Sequence, residues 1–303
     1  MILKHDLHIH THNSCDSACA QIADIVREAQ ALGVKTFGIS DHLHTRFNLP
    51  DIVAARKEFL EFGPLHGFHF GIEVSCATQW ECDKIARRDY ASCFTYDLKG
   101  HPFQTMTPID GIMYGGPAGG PLCVDLTEEE IAQLGIEYVI GGVHKPNYTE
   151  QEPVPMIDDY FNQSCFLIRH PLVDILAHPW NGLVFWSGYF IVTRAPKDLD
   201  NSVFSRIPQE YWDEMGHLLV EYGKRAEINA CLLSPNKSEL VEPCLEQFAR
   251  WREKGVRFTY GSDLHTAHFF STENFEKMNA LLEEYGFTEK DFAPPNFRIF
   301  TIS

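Results

Sequence analysis

A parallel-sheet α/β fold closing into a (β/α) barrel is the architecture the sequence predicts, and three observations carry it. Short apolar, β-branched runs alternate with amphipathic helical patterns along the chain. The connections between them are short and contain glycine, as crossovers between parallel strands require. Seven or eight such units recur, a number that favours closure over an open sheet.

Taken in order, "ILKHDLHIH" reads as the first strand. In "QIADIVREAQALG", Ile22, Ile25, Val26, Ala29 and Leu32 share one helix face, and Gly33 suits a left-handed C-terminal cap. The strand "VKTFGIS", a helix over 50–62 and the strand "FHFGIEVS" follow. "LTEEEIAQLG" predicts a short helix with a capping box between Thr127 and Glu130. Next come the strand "IEYVIGGVH", a helix near 157–169 and the strand "LVDILAH". A helix over 209–222 stacks Tyr211, Trp212, Met215, Leu218, Leu219 and Tyr222 on one side. "RAEINA" and "VRFTYGS" are strands on either side of a helix over 243–254; a helix near 274–285 and a last strand "FRIFTI" complete the series. Two excursions, 77–125 and 180–207, break the rhythm. Both follow strands, so a barrel places them on its C-terminal rim, as lids or as plain surface insertions.

Composition bounds the function. A formal net charge of -17, without a basic patch, opposes nucleic acid as a partner. A small anion remains open, because bound cations reverse the field inside a pocket. The longest apolar stretches are too short to span a bilayer, and the polar start is no secretory signal. Nine cysteines with no C-x-x-C pair read as free thiols of a cytoplasmic protein, and the spacing of Cys15 and Cys19 is poor for a thiolate site.

The chemistry lies where the strands end. His8 and His10 close the first strand, and His42 follows the second. Glu73 lies at the end of the third, His144 of the fourth and His178 of the fifth, with Asp263 and His265 in "GSDLH" after the last. In a parallel barrel these ends converge on one face. One histidine at a strand end is ordinarily just hydrogen-bonded, and one carboxylate there caps a helix; the joint pattern is different. H-x-H projects both rings to one side of a strand, and "SDLH" repeats the spacing at the other end of the chain. Imidazole and carboxylate donors suit zinc, iron or manganese. Their number implies two or three clustered ions, with Glu73 as a bridge.

These motifs, "DLHIHTHNSCDS", "GISDH", "GIEVS", "GGVH", "LAHP" and "GSDLH", resemble in content and order those of the polymerase and histidinol phosphatase (PHP) family of metal-dependent phosphoesterases. The resemblance implies a single PHP domain over 1–303, folded as a distorted (β/α)7 barrel with three metals at the C-terminal strand ends. Carried over, His8, His10, Glu73 and Asp263 hold the first ion, and Glu73, His144 and His178 the second. Asp16, His42 and His265 hold the third, Asp16 standing where many phosphatase-type members have histidine. Asp41 is expected to orient a ligand imidazole, and His12 and His44 to line the pocket rim.

The chemistry expected of that ligand set is in-line attack on phosphorus by a hydroxide between the first two ions, with catalytic roles for Glu73, Asp263 and His265. The substrate class is a small phosphorylated metabolite, histidinol phosphate being one possibility. Arg46, Lys145, Arg194 and Arg206 are candidate phosphate contacts or solvated charges. Asn229 either meets a substrate hydroxyl or packs. The competing functions are hydrolysis of a carboxylic ester or amide on the same site, and a non-catalytic PHP module.

Overall fold

The structure is a computed structural model that describes residues 2–63, 65–96, 102–113, 116–117, 119–147, 153–181, 183, 201–234, 238–265 and 272–300. Its centre is a sheet of seven strands lying side by side in chain order: β1 (His5–Asp6), β2 (Thr36–Ile39), β3 (Phe68–Ser75), β4 (Tyr138–Gly142), β5 (Ile175–Leu176), β6 (Arg225–Asn229) and β7 (Arg257–Gly261). Every neighbouring pair is parallel. A further two residues, His42–Leu43, pair with β3 at its C-terminal half, setting His42 opposite Glu73. The chain after β1 reaches the last strand: the Leu7 amide donates to the Tyr260 carbonyl, and Asp263 N–H to the carbonyl of His8. His10 N–H donates to Leu264 at 2.9 Å. The result is the nearly closed (β/α)7 barrel that the sequence predicts.

Around it run α1 (Ile22–Ala31), α2 (Leu49–Phe62), α3 (Gln79–Ala86), α4 (Glu128–Leu134), α5 (Pro153–Arg169), α6 (Gln209–Glu221), α7 (Ser238–Glu253) and α8 (Thr272–Glu284). Those of the barrel turn an apolar stripe to the sheet, as Ile22, Ile25, Val26 and Ala29 of α1 do, while α3 packs its Ile85 on Cys93 and Met113. The capping box of α4 forms between Thr127 and Glu130, and Gly135 closes that helix in the left-handed conformation.

Tyr138 plugs the barrel. Its hydroxyl lies 2.8 Å from the Leu7 carbonyl and 3.0 Å from that of Ile39, tying β4 to the first two strands. Its ring occupies the space that side chains at Gly38 and Gly71 would need: a Cβ at either position would come within 2.3 Å of it. Leu7, Ile140, Ile175, Ala177 and Phe297 complete this inner cluster.

Several expectations are corrected. Within "ILKHDLHIH" only His5–Asp6 form a regular strand, and Ile9 makes an isolated bridge to Leu264. The helix expected from Pro243 begins at Ser238, because buried Leu240 extends its apolar stripe by a turn. Tyr222 stays 43% exposed, just past the end of α6. Over 297–300, "FRIFTI" forms no strand. Arg298 instead bonds Asp174 at 2.7 Å, and Phe297 stacks on His69 at 3.7 Å. The excursion 77–125 carries α3 and two short antiparallel ladders. Most of the excursion 180–207 lies outside the described residues.

Candidate metal centre

Each strand end delivers its side chain to one point. Glu73, at the end of β3, is fully buried and is the hub. Its Oε1 lies 3.0 Å from His144 Nε2 and 3.1 Å from His178 Nε2. Its Oε2 lies 3.0 Å from His8 Nε2, 2.9 Å from His42 Nδ1 and 3.6 Å from His10 Nε2. Asp263 Oδ1 approaches His10 Nε2 at 3.3 Å and His8 Nε2 at 3.5 Å. Asp16 Oδ2 lies 2.5 Å from His265 Nε2 and 3.2 Å from His42 Nε2. All nine residues expected as ligands therefore meet in one cluster.

Among the described residues, the donor atoms of eight of these fall into three groups close enough to share an ion each: His8, His10 and Asp263; His42, Glu73 and His144; and His10, Asp16, His42 and His265. His178 joins none of these groups and meets the cluster through Glu73. This partition differs in detail from the expected one. His10 faces two groups rather than one, and His42 turns one nitrogen to Asp16 and the other to Glu73.

A divalent ion fits these donors, on two observations. Glu73 Oε2 and His42 Nδ1 are buried 2.9 Å apart yet, like Asp16 Oδ1, make no hydrogen bond among the described residues. Buried polar atoms in such positions carry a desolvation cost unless something coordinates them. The donor set is all imidazole and carboxylate, which suits zinc, iron or manganese. His178 and Asp263 have φ values of 28° and 54°. Such conformations strain ordinary residues and concentrate at functional sites.

The cluster's electrostatics are those of ligands pressed together. For Glu73, burial alone would raise the carboxyl, but His8, His144 and His42 outweigh it and hold it well below its usual range. For His8, burial is outweighed by Glu227, Glu73 and Asp263, which push it well above normal. Burial of His42 is likewise outweighed, by Glu73 and Asp16, and it rises to about 10. For His10 burial wins, helped by the positive His42, and its value falls to about 3.

The supporting groups are partly those expected. Among the described residues Asp41 orients no imidazole: it accepts from the Thr11 amide at 2.5 Å and the Thr11 hydroxyl at 2.7 Å, pinning the loop after His10. The orienting carboxylate is Glu227, from β6, 2.7 Å from His8 Nδ1. Asn229 is fully buried. Its buried amide donates to Glu227 at 3.0 Å and Asp263 at 3.2 Å. Ser75 bridges His44 and His144, at 2.6 Å from each. His44 is thus buried among the donor rings rather than on the rim, while His12 is 37% exposed, near Glu58.

Sequence reasoning gave Glu227 and Ser75 no role, although both sit at strand ends beside residues it selected. The expected phosphate cations fare differently. Lys145 is buried against Glu81 and the Met113 carbonyl, and Arg46 pairs with Asp125 at 2.8 Å. Arg206 is exposed, and Arg194 lies outside the described residues.

Comparison with known proteins agrees with the fold. A crystal structure from Listeria monocytogenes, provisionally described as the histidinol phosphatase HisK, superposes with a TM-score of 0.56 at 15% identity, covering 88% of this chain and 97% of that one. That likeness shows the fold. An archaeal fructose 1,6-bisphosphate aldolase aligns at 11% identity over 94% of this chain and 97% of its own, but its TM-score of 0.34 bears on nothing further. No curated protein matches the chain. The PHP domain model matches residues 6–229, which contain seven of the nine clustered residues, all but Asp263 and His265. With that match and this clustered donor set, the chain belongs to the PHP family, which uses divalent metals.

Proposed function

We propose that the protein is a metal-dependent phosphoesterase acting on a small phosphomonoester of the histidinol-phosphate kind. The observation that carries this reading is Glu73, one buried carboxylate with four imidazole nitrogens within 3.1 Å, at the junction of the donor groups. His8, His10 and Asp263 would hold one ion, Glu73, His144 and His178 a second, and Asp16, His42 and His265 a third. Bound there, divalent ions lower the pKa of water and neutralise charge on phosphoryl oxygens.

The protein's own contribution is positioning and proton management. Glu73 keeps the two sides of the cluster at a fixed spacing. Glu227 holds His8 through Nδ1, which leaves His8 Nε2 to face the donors. Asp263 and His265 stand nearer the mouth, with side chains 16% and 37% exposed, where a leaving-group oxygen can take up a proton. His265 Nδ1–H donates to the Asp263 carbonyl at 2.8 Å, which leaves Nε2 turned to Asp16 as the atom that would hold the third ion.

One observation favours a second reading, hydrolysis of a carboxylic ester or amide. Lys145 and Arg46 are already paired with acids, which leaves phosphate recognition to the ions and to groups outside these pairs. The complete donor set speaks for catalysis over a non-catalytic module. A panel of phosphomonoesters, carboxylic esters and amides, run with zinc, manganese and iron, tests the choice. Release of phosphate supports the first reading; clean amide or ester cleavage without it overturns that reading.

A further inference from the structure

A hydroxyl carries one proton, and Ser75 Oγ lies 2.6 Å from Nδ1 of His144 and 2.6 Å from Nδ1 of His44. It donates to one ring and accepts from the other, so the tautomers of the two imidazoles are tied together. The far nitrogen of His144, Nε2, is 3.0 Å from Glu73 Oε1. The far nitrogen of His44 has no hydrogen-bond partner among the described residues. Its ring lies 4.4 Å from His42, stacked, and 5.0 Å edge-on from His144, both members of the donor cluster.

We propose that His44 is a tautomer switch set by metal loading, bare at Nε2 in the metal-free site and an N–H donor at Nε2 once an ion binds His144, and that this donor receives an anionic oxygen of the substrate. Only the last clause rests on the phosphoesterase reading.

The logic follows from the acceptors. Without metal, Glu73 can only accept, so His144 carries its proton on Nε2 and its Nδ1 accepts from Ser75. Ser75 oxygen then accepts from His44 Nδ1–H, and His44 Nε2 is a lone pair. An ion at His144 Nε2 needs that nitrogen's lone pair, which moves the ring proton to Nδ1, where it donates to Ser75. The Ser75 hydroxyl turns and donates to His44 Nδ1, whose own proton now sits on Nε2. Each ring keeps one proton and the hydroxyl keeps its own; the ring protons exchange through water, and nothing is oxidised or reduced.

Long-range proton–nitrogen NMR on the full chain, labelled with 15N-histidine, tests the switch in metal-free and zinc-loaded protein. The His44 signals are assigned by their loss in His44→Gln. Zinc should move the His44 proton from Nδ1 to Nε2, and Ser75→Ala should bind zinc with a His44 tautomer that no longer responds. An unchanged tautomer in the wild type, two protonated nitrogens, or a Ser75→Ala protein that still responds would each overturn the proposal.

The donor role is read with p-nitrophenyl phosphate as probe. His44→Leu should raise KM by about tenfold or more, as loss of a hydrogen bond to a charged group does. His44→Gln, which keeps an amide N–H in place of Nε2–H, should recover most of it. An unchanged KM in His44→Leu removes the donor role. A protein that switches tautomer but hydrolyses no phosphomonoester keeps the relay and overturns the phosphoesterase reading; hydrolysis with a fixed tautomer does the reverse.

Discussion

Glu73 concentrates the cluster's free energy in one side chain. Its negative charge is compatible with full burial only because imidazoles surround it. Glu73→Ala should therefore release bound metal and lower turnover by at least about 100-fold, the scale on which removal of one preorganised electrostatic group acts. Elemental analysis beside a rate measurement checks this, and normal values for either would contradict the assignment. Glu227→Gln is a milder change, since the amide can still meet His8 without its charge. It should weaken metal affinity by about 10–100-fold, measured by chelator competition. Ligands were legible in the sequence because strand ends are marked by short motifs. Their supports were not, because Glu227 and Ser75 act through contacts 219 and 69 residues away that no spacing encodes.

At the level of elements, the alternation of strands and helices was readable because each crossover buries a periodic apolar stripe. The misread pieces were those whose shape depends on the rest of the barrel. "FRIFTI" has a strand's composition, yet Arg298 finds its partner in Asp174 and Phe297 stacks on His69. The same dependence governs Gly38 and Gly71, which make room for Tyr138. Gly38→Ala should cost about 1–3 kcal/mol by overpacking, measured by urea unfolding. Tyr138→Phe in that background should return part of the loss, because the Tyr138 hydroxyl is the atom 2.3 Å from the added Cβ. Unchanged stability in Gly38→Ala would show that the ring moves freely, and the plug would be no plug.

Across the whole molecule, distant segments supply one multivalent site, and its occupancy is linked to protons. His8 and His42 sit above their ordinary value in the metal-free protein, so both rings hold protons at neutral pH that a cation must displace. Metal binding should release protons and tighten as pH rises from 6 to 9, which calorimetry in buffers of different ionisation enthalpy reads directly; proton uptake would contradict the sign. No helix among the described residues is long and apolar enough to cross a membrane. The nearly closed sheet brings residues from His8 to His265 to one mouth, and the number of cations held there tests that claim most directly. Metal analysis of the purified protein, dialysed after loading with zinc or manganese, should find two to three ions per chain in the wild type and fewer in Glu73→Ala. A wild-type chain that keeps none, or a Glu73→Ala chain that keeps as many, would contradict it.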